Sequence, residues 1–297
     1  MIPGSFDYLV AGSVPEAVAL LEQHGDDAKI LAGGQSLIPL LRFRLAAPSV
    51  LIDINRVPDL EYIQETDGTL HIGALTREAE LDASDLIRNR YPILRDTASV
   101  VADPVVRNWA TVGGNLAHAD PANDHPATML ALGAQVVAVG PGGQRVIPIA
   151  EFFTDSTFET TLRPNEILTE IRIPAPTAHS GGAYFKLERK VGDYAIAGVA
   201  AYITLDDNGN LTYAGIGLTN VGPAPIKARD AEQALLGKPL DDAAIHHAAA
   251  LAAAAAKPTS DLRGPAEYKR DMVRTLTVRA LRKAQARAAG ATGGEQS

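Results

Sequence analysis

An apolar, strand-like segment, Lys29-Ile30-Leu31-Ala32, runs straight into two adjacent glycines, Gly33-Gly34, and leaves through Gln35-Ser36 into a second apolar run. Glycine in regular structure costs about 0.5–1 kcal/mol, so an adjacent pair marks a place that needs bare backbone. The device returns at Thr111-Val112-Gly113-Gly114-Asn115. Strand, glycine turn and helix start is the order found in anion cradles. Successive N–H groups of such a loop converge on one point as a nest. Either pair alone reads as an ordinary tight turn. Together, with Ser36, Thr111 and Asn115 offering further hydrogen bonds, they predict one anionic ligand held from two sides. The site is not a Rossmann unit or a P-loop, because neither GxGxxG nor GxxxxGK[ST] occurs.

Composition narrows the ligand and the setting. A chain of 297 residues that is 46% hydrophobic can bury a sizeable core. The net charge of −8 and the lack of any Lys/Arg run argue against a nucleic-acid partner, so an anion must be held by local donors. The absence of cysteine excludes disulfides, thiolate zinc sites and any iron–sulfur cluster ligated by this chain. The opening MIPGSFDYLV lacks the basic-then-apolar order of a signal peptide, and the alanine-rich run ending at Ala256 is too weakly apolar to span a bilayer. The chain reads as cytoplasmic.

Periodicity predicts an α+β fold. Ser13-Val14-Pro15-Glu16 opens a helix that His24-Gly25 closes, and residues 36–45 form a short amphipathic helix. Strands are expected over 50–54 and 69–75, and a helix over 91–101. A hairpin turning at Pro141-Gly142-Gly143 joins strands 135–139 and 144–149, and another strand covers 167–173. Residues 177–182 read as a domain boundary. An antiparallel meander over 183–218, turning at Asp206-Asp207-Asn208-Gly209, and helices over 241–256 and 265–289 follow. The tail 290–297 has a disordered composition.

Two further stretches carry chemistry. His118, Asp120, Asp124 and His125 in HADPANDH offer metal-ligand types. Their prolines mark an irregular loop and their spacing matches no helical ligand pair, so no metal site is assigned. Asp124 is better suited to accepting hydrogen bonds from ligand hydroxyls. In KLERKVGDYA, Lys186 and Tyr194 read either as part of a solvated strand and turn or as groups reaching back across the domain boundary to the ligand.

PGSFDY, AGGQSLIPLL, TVGGN, DPANDHPA, EILTEIRIP, KLERKVGDYA, GLTNV and SDLRGPAEYKRDM together cover nearly the whole chain. In them it resembles the FAD-binding medium subunits of the molybdenum hydroxylases, the xanthine dehydrogenase family, and within it the aerobic carbon monoxide dehydrogenase branch. The resemblance implies a two-subdomain FAD-binding domain of the vanillyl-alcohol-oxidase type over 1–176, divided near 57. A small α+β C-terminal domain over 177–289, with a three-stranded antiparallel sheet and helices, would follow. It implies non-covalent FAD whose pyrophosphate meets Ala32, Gly33, Gly34, Gln35 and Ser36 on one side and Thr111, Gly113, Gly114 and Asn115 on the other. Asp124 would hold ribityl or ribose hydroxyls, and Ile72, Gly73 and Ala74 would line the cofactor. Leu168, Lys186 and Tyr194 would lie by the isoalloxazine, and Lys29, Leu37, Ala102 and Asp193 complete the implied cofactor-binding set. No residue here is expected to be catalytic.

The same resemblance implies partner chains: a small subunit with 2Fe-2S clusters and a large molybdopterin subunit, in a dimer of heterotrimers. Electrons would pass from molybdenum through the clusters to FAD and on to an external acceptor such as a quinone, with peripheral association at the inner face of the cell membrane. One departure bears on substrate: carbon monoxide dehydrogenases of the family commonly read AGGHS where this chain has Gln35. Related flavin subunits serve enzymes for N-heterocycles or aldehydes. A free-standing FAD oxidoreductase and a non-enzymatic nucleotide-binding module are the remaining alternatives.

Overall fold

The computed structural model describes residues 2–290. The expected disordered tail, apart from Gly290, lies outside them. Its strands form three sheets. The first is parallel, with β1 (Asp7–Val10), β2 (Ala28–Leu31) and β3 (Val50–Asp53) in the order β1-β3-β2. β3 is central and buried at every position, which suits its apolar Val50, Leu51 and Ile52, while Asp53 at its end accepts from Tyr8 and Asn55. Parallel neighbours need a crossover, and α1 (Val14–His24) supplies the first. Ser13 caps it by accepting from the Glu16 N–H, and Ala17, Val18 and Leu21 are its buried face. α2 (Leu37–Arg42) provides the second crossover and is shorter than predicted, ending before Arg44 at φ +57.

The second sheet is antiparallel, built from β4 (Ile63–Thr66), β5 (Thr69–Gly73), β6 (Gln135–Gly140), β7 (Gly143–Pro148) and β8 (Ile167–Pro174) in the order β4-β5-β8-β6-β7. Seven helices accompany it: α3 (Glu78–Ala83), α4 (Asp85–Arg90), α5 (Pro92–Ala98), α6 (Pro104–Arg107), α7 (Val112–His118), α8 (His125–Leu132) and α9 (Ile149–Phe152). α5 is the predicted helix over 91–101, trimmed at both ends. HADPANDH is less irregular than expected, since His118 closes α7 and His125 opens α8. Every residue of α8 is buried, because the helix lies between the core of this sheet and the strands of the next.

The third sheet joins β9 (Ser180–Leu187), β10 (Ala197–Leu205), β11 (Leu211–Thr219) and β12 (Ile226–Lys227) in the order β12-β11-β10-β9. The three long strands are the predicted meander, and the two-residue β12 adds an edge that the sequence reading lacked. α10 (Arg229–Leu235), α11 (Asp242–Ala255) and α12 (Ala266–Ala288) cover one face with an alanine-rich core. The other face meets residues 119–132. Thr219 donates to the Asn123 carbonyl at 3.1 Å, Tyr213 to that of Ala131 at 2.9 Å and Lys227 to that of Leu130 at 3.1 Å. Arg287 of α12 pairs with Asp96 of α5 at 2.6 Å. Among the described residues no helix is long and apolar enough to cross a membrane.

Candidate functional site

The two glycine loops meet. A Cβ added to Gly33 would come 2.1 Å from the Trp109 carbonyl oxygen, so the bareness of this position is used by the approach of the second loop. Gly34 takes φ +71, the left-handed backbone that turns β2 into α2 and favours glycine. The result is an open row of donors. The N–H groups of Gly33, Gly34, Gln35, Ser36 and Leu37 donate to no acceptor among the described residues. The first carbonyls of the loop are already taken, Gly33 by the Gln35 side chain at 3.2 Å and Gly34 by the Ile38 N–H.

The second loop differs from the nest its sequence suggests. It is the start of α7, and its N–H groups are spent inside the protein. Val112 donates to Thr76, Gly113 to Ala74, Gly114 to the Thr111 hydroxyl and Asn115 to the Thr111 carbonyl. A Cβ on Gly113 would press 2.6 Å from Ala74, and one on Gly114 would sit 2.6 Å from Thr111 Oγ1. These glycines serve close packing and the helix cap. What the loop presents is the Asn115 side chain, whose Oδ1 is buried without a partner among the described residues.

Between the loops lies a cavity of about 440 Å³. Of the predicted set it is lined by Lys29, Ala32, Gly33, Gly34, Gln35, Ser36, Leu37, Ala74, Thr111, Gly113, Gly114, Asn115 and Leu168. Sequence reasoning missed Leu21, Leu75, His118 and the segment Leu162-Arg163-Pro164, which also line it. Lys29 and Arg163 bring cations to its wall. Arg163 sits in ETTLRPNE, a stretch with no local pattern that would single it out. His118 faces the cavity and packs on Phe158, with ring centroids 5.1 Å apart. Burial lowers its pKa below the usual imidazole value, against the pull of Asp120.

The remaining predicted residues lie elsewhere. Ile72 is fully buried in the core, and a Cβ on Gly73 would strike the Leu60 carbonyl at 2.4 Å, so only Ala74 of that trio reaches the cavity. Asp124, Lys186, Ala102, Asp193 and Tyr194 gather at the seam with the third sheet. The expectation that Asp124 binds ligand hydroxyls meets a carboxylate that is 5% exposed and already engaged. Tyr184 donates its hydroxyl to Oδ1, and Lys186 Nζ lies 3.1 Å from Oδ2. Burial raises the Asp124 pKa, with Lys186 and then Tyr184 working against it. Lys186 also donates to the Val100 carbonyl at 2.9 Å and approaches Glu188 at 3.4 Å. Gly192 packs on the backbone of Ala102, which has φ +46.

Tyr194 is 47% exposed, with the Arg263 guanidinium 5.7 Å from its ring centroid. Arg263 pairs with Asp193 at 3.1 Å, and this hydrogen bond helps hold the Asp193 pKa down to about 2. Asn123 ties seam to cavity by donating to the Asn115 carbonyl at 2.8 Å. The two histidines of HADPANDH part company. His125 is fully buried and 2.7 Å from Glu78, leaving Glu78 Oε1 and His125 Nδ1 without partners among the described residues. Burial lowers the His125 pKa, but the charge and hydrogen bond of Glu78, with the charge of Asp124, outweigh it, and the net shift is upward.

A row of free N–H donors, a lysine and a lined cavity define a site for a phosphate-bearing ligand, and that donor set fits a pyrophosphate. Residues 4–176 match the FAD binding domain in molybdopterin dehydrogenase, and residues 182–284 match the CO dehydrogenase flavoprotein C-terminal domain. The carbon monoxide dehydrogenase medium chain of Hydrogenophaga pseudoflava is 46% identical over 97% of this chain and 100% of its own length. The 6-hydroxypseudooxynicotine dehydrogenase complex subunit alpha of Paenarthrobacter nicotinovorans is 44% identical over 97% of each chain. A solved structure of the Hydrogenophaga pseudoflava carbon monoxide dehydrogenase lacking the Mo-pyranopterin moiety superposes with a TM-score of 0.94. The two are 48% identical, covering 97% of this chain and 99% of that one. The chain belongs to the FAD-binding medium subunits of carbon monoxide dehydrogenases and related molybdenum hydroxylases, and its cofactor is FAD.

Proposed function

We propose that this chain is the electron-transfer subunit of an aerobic carbon monoxide dehydrogenase, or of a related molybdenum hydroxylase for an N-heterocycle or aldehyde. It would receive electrons from 2Fe-2S clusters on a small partner and deliver them to an external acceptor such as a quinone. The observation that carries the reading is the row of unused N–H groups from Gly33 to Leu37 on the cavity wall, in a chain of this family. Those groups hold the pyrophosphate, Lys29 adds charge, and Asn115 with the α7 start closes the other side. Leu168 and the seam residues Lys186 and Tyr194 lie toward the isoalloxazine. Bound FAD supplies the exchange between one-electron and two-electron carriers. The protein's task is to bind it, orient it and limit water around it.

The absence of cysteine supports placing the clusters on another chain, since thiolates are their usual ligands. The small iron–sulfur and large molybdopterin partners, their assembly as a dimer of heterotrimers, and a cytoplasmic site at the inner membrane face belong to the same proposal. So does a division of this chain into FAD-binding residues 1–176 and a C-terminal unit 177–289. Purification from the native source tests it: co-purifying chains, molybdenum and iron are expected, and the isolated chain should retain flavin yet oxidise no carbon monoxide, N-heterocycle or aldehyde. Turnover by the isolated flavoprotein would instead establish a free-standing oxidoreductase.

A further inference from the structure

Arg77, half-buried just before α3, connects both glycine loops without lining the cavity. Its Nη1 donates to the Trp109 carbonyl at 2.6 Å, the oxygen that stands against Gly33. Its Nη2 donates to Asn55 Oδ1 at 2.8 Å. Asn55 Nδ2 donates in turn to the Ala32 carbonyl at 2.8 Å and to Asp53 Oδ1 at 2.7 Å. The guanidinium also lies 6.0 Å from the Trp109 ring centroid. In a planar trans peptide the C=O and the following N–H point in opposite directions. Anchoring the Ala32 carbonyl on Asn55 therefore fixes where the Gly33 N–H points, and the Gln35 bond to the Gly33 carbonyl does the same for Gly34.

We infer that Arg77 is a positioning residue for the phosphate-binding loop: through Asn55 it orients the first peptide of the donor row, and through Trp109 it holds the two loops together. The role depends on the planar fork of the guanidinium, which reaches two diverging acceptors as a single ammonium cannot. It rests on the assignment of the donor row to the FAD pyrophosphate. It adds a residue that ligand proximity would never select.

Trp109 is the single tryptophan, so its emission reports both FAD binding and loop position. In titrations of the full-length apoprotein, Arg77→Ala, Arg77→Lys and Asn55→Ala are each expected to raise the FAD dissociation constant about tenfold or more. The Arg77→Ala/Asn55→Ala double variant should fall within about twofold of the worse single variant, because the two act in series. Guanidinium ion should restore affinity to Arg77→Ala but not to Arg77→Lys. Without any flavin, acrylamide should quench Trp109 more readily in both Arg77 variants than in wild type. Wild-type affinity in Arg77→Lys would show that charge alone suffices and overturn the inference, as would additive effects in the double variant. Failure of the wild-type protein to bind FAD would overturn the cradle assignment, and the apoprotein quenching would still judge the latch.

Discussion

The Trp109 carbonyl oxygen occupies the space that a side chain on Gly33 would need, 2.1 Å from where its Cβ would stand. The loop that offers donors to the ligand is thus shaped by its contact with the other loop. Because the obstacle is backbone, no rotamer change relieves it. The two loops must part.

Gly33→Ala is therefore expected to fold but to lose FAD affinity. Overpacking of about 1–3 kcal/mol corresponds to roughly 5–150-fold in the dissociation constant. Gly114→Ala meets only the Thr111 hydroxyl, at 2.6 Å, and should lose about fivefold or less, the scale of one weakened helix cap. Titration of each apoprotein with FAD, with circular dichroism to confirm folding, gives the ranking. A larger loss in Gly114→Ala would contradict this account of the glycines.

The strand–glycine–helix segment was legible because its signals are local: an apolar strand, a glycine turn and a helix start lie within a few residues. β1 and β4 were not, since edge strands with one or no buried face carry little apolar pattern, and their burial runs exposed or intermediate throughout. The spending of the Gly113 and Gly114 amides on Ala74 and Thr111 was also invisible, because pairing between distant segments leaves no periodic trace. Asp124 and Lys186 were each singled out as ligand contacts. Their partnership across the seam is a tertiary fact, and it changes what removing either should do.

Lys186→Met should weaken the fold. It leaves the Asp124 carboxylate, 5% exposed, without its cation, and breaking a buried pair on one side typically costs about 3–5 kcal/mol. Asp124→Asn combined with Lys186→Met should recover the part of that loss that comes from Asp124, while Glu188, 3.4 Å from Lys186 in wild type, stays without this cation. Urea unfolding of wild type and the two variants measures it. Stability of Lys186→Met within about 0.5 kcal/mol of wild type would mean the pair is not a structural tie.

His125 predicts a dependence on pH. Its folded pKa is raised above the ordinary imidazole value by Glu78, so protonation favours the folded state. That contribution is fully present below the unfolded pKa and is lost as pH rises through the elevated folded value. The urea midpoint of wild type should thus fall as pH rises above the unfolded imidazole value of about 6.5, and His125→Gln should flatten this slope. Equal slopes in the two proteins would assign the dependence to other groups.

Tyr194 bears on the electronic role of the seam. The ring is 47% exposed, braced by Arg263, and does not line the cavity that holds the donor row at Gly33 to Leu37, so its removal should leave FAD in place. If the ring packs on the isoalloxazine, its contact differs between oxidised and reduced flavin. Aromatic pairs contribute about 0.5–1.5 kcal/mol, which for a two-electron couple is roughly 10–30 mV. Tyr194→Ala should shift the flavin potential by that amount or change its rate of reoxidation, while Tyr194→Phe, which keeps the ring, should shift it less. Spectroelectrochemical titration with stopped-flow reoxidation separates the cases. Unchanged potential and rate in Tyr194→Ala would make this residue part of a solvated turn held by Asp193 and Arg263, with no hand in the flavin's chemistry.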